Sequence, residues 1–175
     1  MNYIVLDLEW NQGNEEKEKQ RKDIPFEIIE IGAIKLNGRM ELCGSFHEVV
    51  KPQVYQEMHR KTRQLLHMDM EQLQEGDFFP GVCRRFLSWC SAPAQEDADG
   101  EPVRSDLTET TPVPYLFATW GPQDLTELQR NMRFYGMEPL GSGPVKFCDI
   151  QKLFSIAFED KKIRRNLEYA VDYLK

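Results

Sequence analysis

The chain has 175 residues, 41% of them hydrophobic, enough to bury one substantial core, so a single domain spanning residues 1–175 is the expectation. A net charge of −7 and a pI near 5.1 argue against broad electrostatic adhesion to duplex nucleic acid, but leave room for a site that grips only a short single-stranded end. Cys43, Cys83, Cys90 and Cys148 show neither metal-ligand spacing nor a short secreted framework. With no charged-then-apolar leader and no apolar run near the ~20 residues that span a bilayer, the expectation is reduced thiols in a cytoplasmic protein.

The run Tyr3-Ile4-Val5-Leu6-Asp7-Leu8-Glu9-Trp10 reads as a strand. Its alternation puts Asp7 and Glu9 on one face, with Leu6, Leu8 and Trp10 on the other. Two ionised carboxylates at the end of a buried strand repel each other and lose solvation, and a divalent cation is the usual compensation. An all-oxygen site suits Mg²⁺ or Mn²⁺. Taken alone, an Asp-x-Glu pair is more readily read as the acidic solvent face of a half-buried edge strand; the segments that follow reverse that reading.

Phe26 to Leu36 is the next predicted strand and Leu42 to Val50 the third, with Asn37-Gly38 between them signalling a tight hairpin. A helical pattern covers Val54 to Leu66, and another helix ends near Cys90. Between Ser91 and Pro114, six acids (Glu96, Asp97, Asp99, Glu101, Asp106, Glu109) stand against Arg104 without hydrophobic periodicity. This is expected to be a flexible acidic insertion within one domain. Tyr115 to Gly121 forms a buried strand. Pro122-Gln123-Asp124 then opens a helix to about Tyr135, with Asp124 near its positive end. Asp149 is placed to cap a helix from Ile150 to Phe158.

Four ordered segments resemble the DEDD (DnaQ-like) 3′→5′ exonuclease superfamily. Asp7-Leu8-Glu9 is similar to its first motif and Ile28-Ile29-Glu30-Ile31-Gly32-Ala33 to its second strand. Thr119-Trp120-Gly121-Pro122-Gln123-Asp124-Leu125 is similar to the second motif. Phe147-Cys148-Asp149-Ile150-Gln151 resembles the following segment in the branch that trims 3′ ends of histone messenger and small regulatory RNAs. The resemblance implies a ribonuclease H-like α/β fold: a mixed five-stranded sheet flanked by helices. It also implies a two-metal site with Mg²⁺ or Mn²⁺, in which Asp7 bridges both ions and Glu9 and Asp124 each help hold one. Two such ions roughly 3.5–4 Å apart activate water and stabilise the leaving oxygen. Trp10, Leu65, Leu66 and Trp120 occupy places where relatives contact terminal nucleotides, though core packing accounts equally well for the leucines.

The family's third motif, His-x4-Asp or Tyr-x3-Asp on a C-terminal helix, is not found. His47, His59 and His67 all precede Asp124, and Tyr169 and Asp172 are one residue too close. The expectation is therefore a C-terminally incomplete domain without its motif helix. Loss of a positioned general base typically costs about 10²–10⁴-fold in rate. An apolar surface left open there would favour a homo-oligomer. The basic residues at 17–22 and 161–165 read as solvated loops or helix ends. Three functions stay open: a metal-dependent exonuclease on single-stranded RNA or DNA 3′ ends, a catalytically inactive nucleic-acid-binding or protein-interaction module, and a two-metal phosphatase on small nucleotides.

Overall fold

The structure is a computed structural model that describes residues 1–13, 19–66, 68–93, 112–141, 145–159 and 163–175. The chain runs through β1 (Asn2–Gln12), β2 (Phe26–Leu36), β3 (Leu42–Lys51), α1 (Arg60–Leu66), α2 (Met70–Gln74), β4 (Asp77–Phe78) and α3 (Phe79–Ser91). It continues through β5 (Tyr115–Thr119), α4 (Gln123–Phe134), β6 (Phe147–Asp149), α5 (Ile150–Phe158) and α6 (Leu167–Tyr173). The strands form a mixed α/β sheet in the order β4-β3-β2-β1-β5-β6. β1, β2 and β3 pair antiparallel, while β5 lies parallel to β1 and β6 parallel to β5. The expected count of five strands is extended by β4, whose two residues pair with Val50 and Lys51 at the end of β3.

Period-two alternation builds the principal core. Asn2, Ile4, Leu6 and Leu8 are buried on one face of β1, and Leu6 and Leu8 lie opposite Ala33 and Ile31 of β2. Against this face pack Phe79, Val82, Cys83, Phe86 and Cys90 of α3, a helical spacing that forms one stripe, together with Leu125, Leu128 and Met132 of α4. Phe86 touches Phe46 and Phe117 at ring-centroid distances of 5.3 and 6.1 Å. Burying a side chain of this kind contributes about 1.5–3 kcal/mol relative to leaving it exposed. The buried Lys35 of β2 donates to the carbonyls of Trp89 and Ala92, completing the end of α3, and burial pushes its ammonium pKa down.

Asn131 fixes α4 on the sheet. Its side-chain oxygen accepts the Ile28 amide at 3.1 Å, and its nitrogen donates to the Phe26 carbonyl at 2.8 Å. These β2 groups lie beside an irregularity where the partner of Glu9 is Glu30 but that of Trp10 is Ile28. The intervening Ile29 is fully buried in a smaller cluster with Met58 and Leu73.

Two local expectations are corrected. The helix expected over Val54 to Leu66 starts only at Arg60, because the amides of Gln53, Val54 and Tyr55 are taken by the Glu27 carboxylate at 2.6–3.1 Å. Amides held by a carboxylate from another strand cannot join a helical ladder until the chain has left it. The Asn37-Gly38 hairpin is a wider loop. Leu36 pairs with Leu42, the Asn37 side chain accepts the amides of Arg39 and Glu41, and the left-handed residue is Met40 rather than Gly38. Most of the acidic segment, residues 94–111, lies outside the described residues. Its stems are joined where the Val113 amide donates to the Ser91 carbonyl at 2.8 Å.

Candidate metal centre

β1, β5 and β6 run in the same direction, so their carboxyl ends share one edge of the sheet. Asp7 and Glu9 stand on the β1 face opposite the α3/α4 core. Pairing between β1 and β5 stops at Val5 and Ala118, leaving the strand beyond without a neighbour on that side. The chain then turns at Gly121, whose φ of 96° lies in the left-handed region, and a Cβ there would meet the Gln151 side-chain oxygen at 3.3 Å. This turn starts α4 beside β1, and the Leu8 amide donates to Asp124 Oδ1 at 3.2 Å. Residues 116 apart in the chain are thus joined by one hydrogen bond at the edge where β1 carries its acids.

The electrostatics are those of charges held together without compensation. Burial pushes Glu9 up to about 7, and the neighbouring charges of Asp7, Glu30 and Asp124 add to the effect. Asp124 is pushed up to about 6 by burial and by Asp7, against the opposing Leu8 amide. Asp7 is also raised, first by burial and then by Glu30, although part of its side chain reaches solvent. A divalent cation would reverse these penalties, because it favours the ionised form of every acid around it. The donor set, all carboxylate oxygen, fits Mg²⁺ or Mn²⁺. Among the described residues no three His, Cys, Asp or Glu side chains already converge tightly enough to hold an ion, so Asp7, Glu9 and Asp124 would have to adjust to close around one.

Glu30 is the member that sequence reasoning did not assign to the site. It lies directly opposite Glu9 on β2, and its Oε1 meets His47 Nε2 at 2.8 Å. Its alternation within Phe26 to Leu36 was visible, but the register that places it against Glu9 depends on the β2 irregularity and on the path between β1 and β2. His47 is opposite Gly32, which is itself opposite Asp7, so no side chain separates His47 from Asp7 across the sheet. His67 lies outside the described residues.

The expected nucleotide contacts divide. Trp10 is half-buried against Phe26 at 5.6 Å, with its carbonyl accepting from the Thr62 hydroxyl of α1 at 3.3 Å. Leu65 is 73% exposed, whereas Leu66 packs against the cluster of Ile29, Met58 and Leu73. Trp120 donates its indole N–H to the Arg165 carbonyl at 3.1 Å and packs on Phe154. Asp149 caps α5 through the Lys152 amide at 2.9 Å. On the same sheet face as Asp7, a cleft of about 520 Å³ runs past Val5, Trp120, Phe154 and Ala170. No helix among the described residues is long and apolar enough to cross a membrane.

No protein-family model and no curated protein sequence matches the chain. Solved structures do match. The nuclease domain of 3′hExo, a DEDDh family member bound to rAMP, is 19% identical with a TM-score of 0.64 over 90% of this chain and 70% of that one. Cell-death related nuclease 4 (CRN-4) is 16% identical with a TM-score of 0.65 over 99% of this chain and 54% of its own length. Exonuclease I from E. coli in complex with a dT13 oligonucleotide is 9% identical with a TM-score of 0.62 over 95% of this chain and 32% of its own. Sequence identity this low carries the architecture rather than the activity: the chain has the α/β ribonuclease H-like fold of the DEDDh 3′-exonucleases.

Proposed function

We propose that this chain is the acidic core of a metal-dependent 3′→5′ exonuclease acting on single-stranded RNA or DNA ends. The observation that carries this reading is the assembly of Asp7, Glu9 and Asp124 at one sheet edge with carboxyls raised by burial and mutual charge. Asp7, Glu9 and Asp124 would hold Mg²⁺ or Mn²⁺, which when bound acidifies water and stabilises developing charge on a leaving oxygen. The Leu8 amide orients Asp124. Trp10 and the exposed Leu65 offer apolar surface for the terminal bases.

Among the described residues no three His, Cys, Asp or Glu side chains stand close enough together to hold a metal ion. That observation favours a second reading, a nucleic-acid-binding module of the same fold that does not hydrolyse its ligand. The two separate in one assay: a 5′-fluorescent single strand incubated with the protein and Mg²⁺ or Mn²⁺. Exonuclease action gives a ladder that shortens from the 3′ end, needs the metal and disappears in Asp7→Ala. Binding without any shortening would replace the enzyme with the module, and shortening retained in Asp7→Ala would remove the site assignment.

A further inference from the structure

We infer that α1 is the surface that receives the phosphate backbone of a single-stranded nucleic acid as it approaches the acidic edge. This inference rests on the nuclease reading and specifies where its substrate is held. A protein of net charge −7 with a carboxylate cluster at its site repels a polyanion unless cations stand close by. Arg21, Arg39, Arg85, Arg130, Arg164 and Arg165 are each occupied by a carboxylate of the protein itself. Arg60, Lys61 and Arg63 of α1 are different. All three are exposed, and among the described residues none of their charged groups has a hydrogen-bond or ion-pair partner. Arg84, Arg133, Lys22, Lys51, Lys146 and Lys152 also have no carboxylate partner among the described residues, but no helix or strand other than α1 carries more than one such cation.

The cluster is fixed relative to the site. Immediately after Glu9, β1 is sewn to the entry of α1. Asn11 donates to the Glu57 carbonyl at 2.8 Å and accepts the His59 amide at 2.8 Å, Gln12 meets the His59 ring at 3.2 Å, and Thr62 donates to the Trp10 carbonyl. Asn11 is fully buried, so the hydrogen bonds of this joint are shielded from water. The single buried residue of α1 is Thr62, so Arg60 and Arg63, one turn apart, share one exposed flank of the helix and Lys61 and Leu65 the other. Unpaired cations interleaved with an exposed leucine match a strand with its phosphates on one side and unstacked bases on the other. A free mononucleotide, with one phosphate, has no use for three cations spread over a helix.

The test is the salt dependence of binding. A 5′-fluorescein single strand of 12 nucleotides, phosphorothioate-linked at its 3′ end to slow hydrolysis, is titrated with the full chain in Mg²⁺ between 50 and 200 mM salt. The triple variant Arg60→Gln/Lys61→Gln/Arg63→Gln should lower the slope of log K against log salt by about 2, at about 0.7 per phosphate contact on a single strand. Its AMP binding should be unchanged. Arg39→Gln/Arg84→Gln/Lys175→Gln, with the same change in net charge, should keep the original slope. If wild type binds the strand and the α1 variant keeps its slope, or the control variant loses as much, α1 is not the strand surface and the nuclease reading stands. If wild type binds no strand, both fall. Circular dichroism of each variant shows that the fold is kept.

Discussion

Glu27 and Glu9 are both carboxylates of the sheet, and the protein treats them in opposite ways. Glu27 is 1% exposed, yet its oxygens accept the amides of Gln53, Val54 and Tyr55 and the hydroxyl of Tyr135. Glu9 is only half-buried, but it faces Asp7, Glu30 and Asp124, and its carboxyl is pushed up to about 7. Depth of burial therefore does not separate a structural acid from a candidate site acid; the donors around it do. A carboxylate surrounded by N–H and O–H groups is finished as a piece of architecture. One surrounded by other carboxylates would be stabilised by a cation bound among them.

The largest expected effect tests the finished side. Glu27→Ala strips three backbone amides of their acceptor and should lower stability by about 3 kcal/mol, given that each buried donor left unsatisfied costs on the order of 1–3 kcal/mol and loop amides recover some water. Urea unfolding measures it, and a loss indistinguishable from wild type would mean that the loop at Gln53 to Tyr55 holds itself.

The next effect belongs to the unfinished side. Mg²⁺ or Mn²⁺ at tenfold excess over its Kd should stabilise the chain by about 1.4 kcal/mol through binding to the folded state alone. The rise in Tm should be present at pH 8, shrink at pH 5 as the acids protonate, and vanish in Asp7→Asn. An equal rise in Asp7→Asn would locate the ion elsewhere.

The smallest effect, reduced by solvent screening because Glu9 is only half-buried, sharpens the sign. Glu9 has a folded pKa near 7, above the ~4.3 of an unfolded glutamate. The native state therefore loses stability as pH rises from the unfolded value through the folded one. Glu9→Gln removes that loss, so metal-free Tm should rise above wild type at pH 8 and coincide with it near pH 4.5. A variant destabilised at pH 8 would show that the Glu9 charge is already compensated in the absence of metal.

Local sequence determined a good deal of this. The alternation of β1 put Asp7 and Glu9 on one face, and the capping role of Asp149 followed from its place before Ile150. Pro122 and Asp124 marked the start of α4. Each of these depends on neighbours within a turn or a strand repeat. What depends on distant segments was not legible. The start of α1 was set by Glu27, a residue in a different strand. The Leu8–Asp124 bond required β5 to stop pairing at Val5, and Glu30 met Glu9 only through the register of β1 on β2. The basic residues of α1 lay in plain view as Arg60, Lys61 and Arg63, but their meaning came from standing on one helix without the carboxylate partners that six other arginines have. Periodicity and capping are local consequences of backbone geometry, whereas register and charge pairing are fixed only when the whole sheet is assembled.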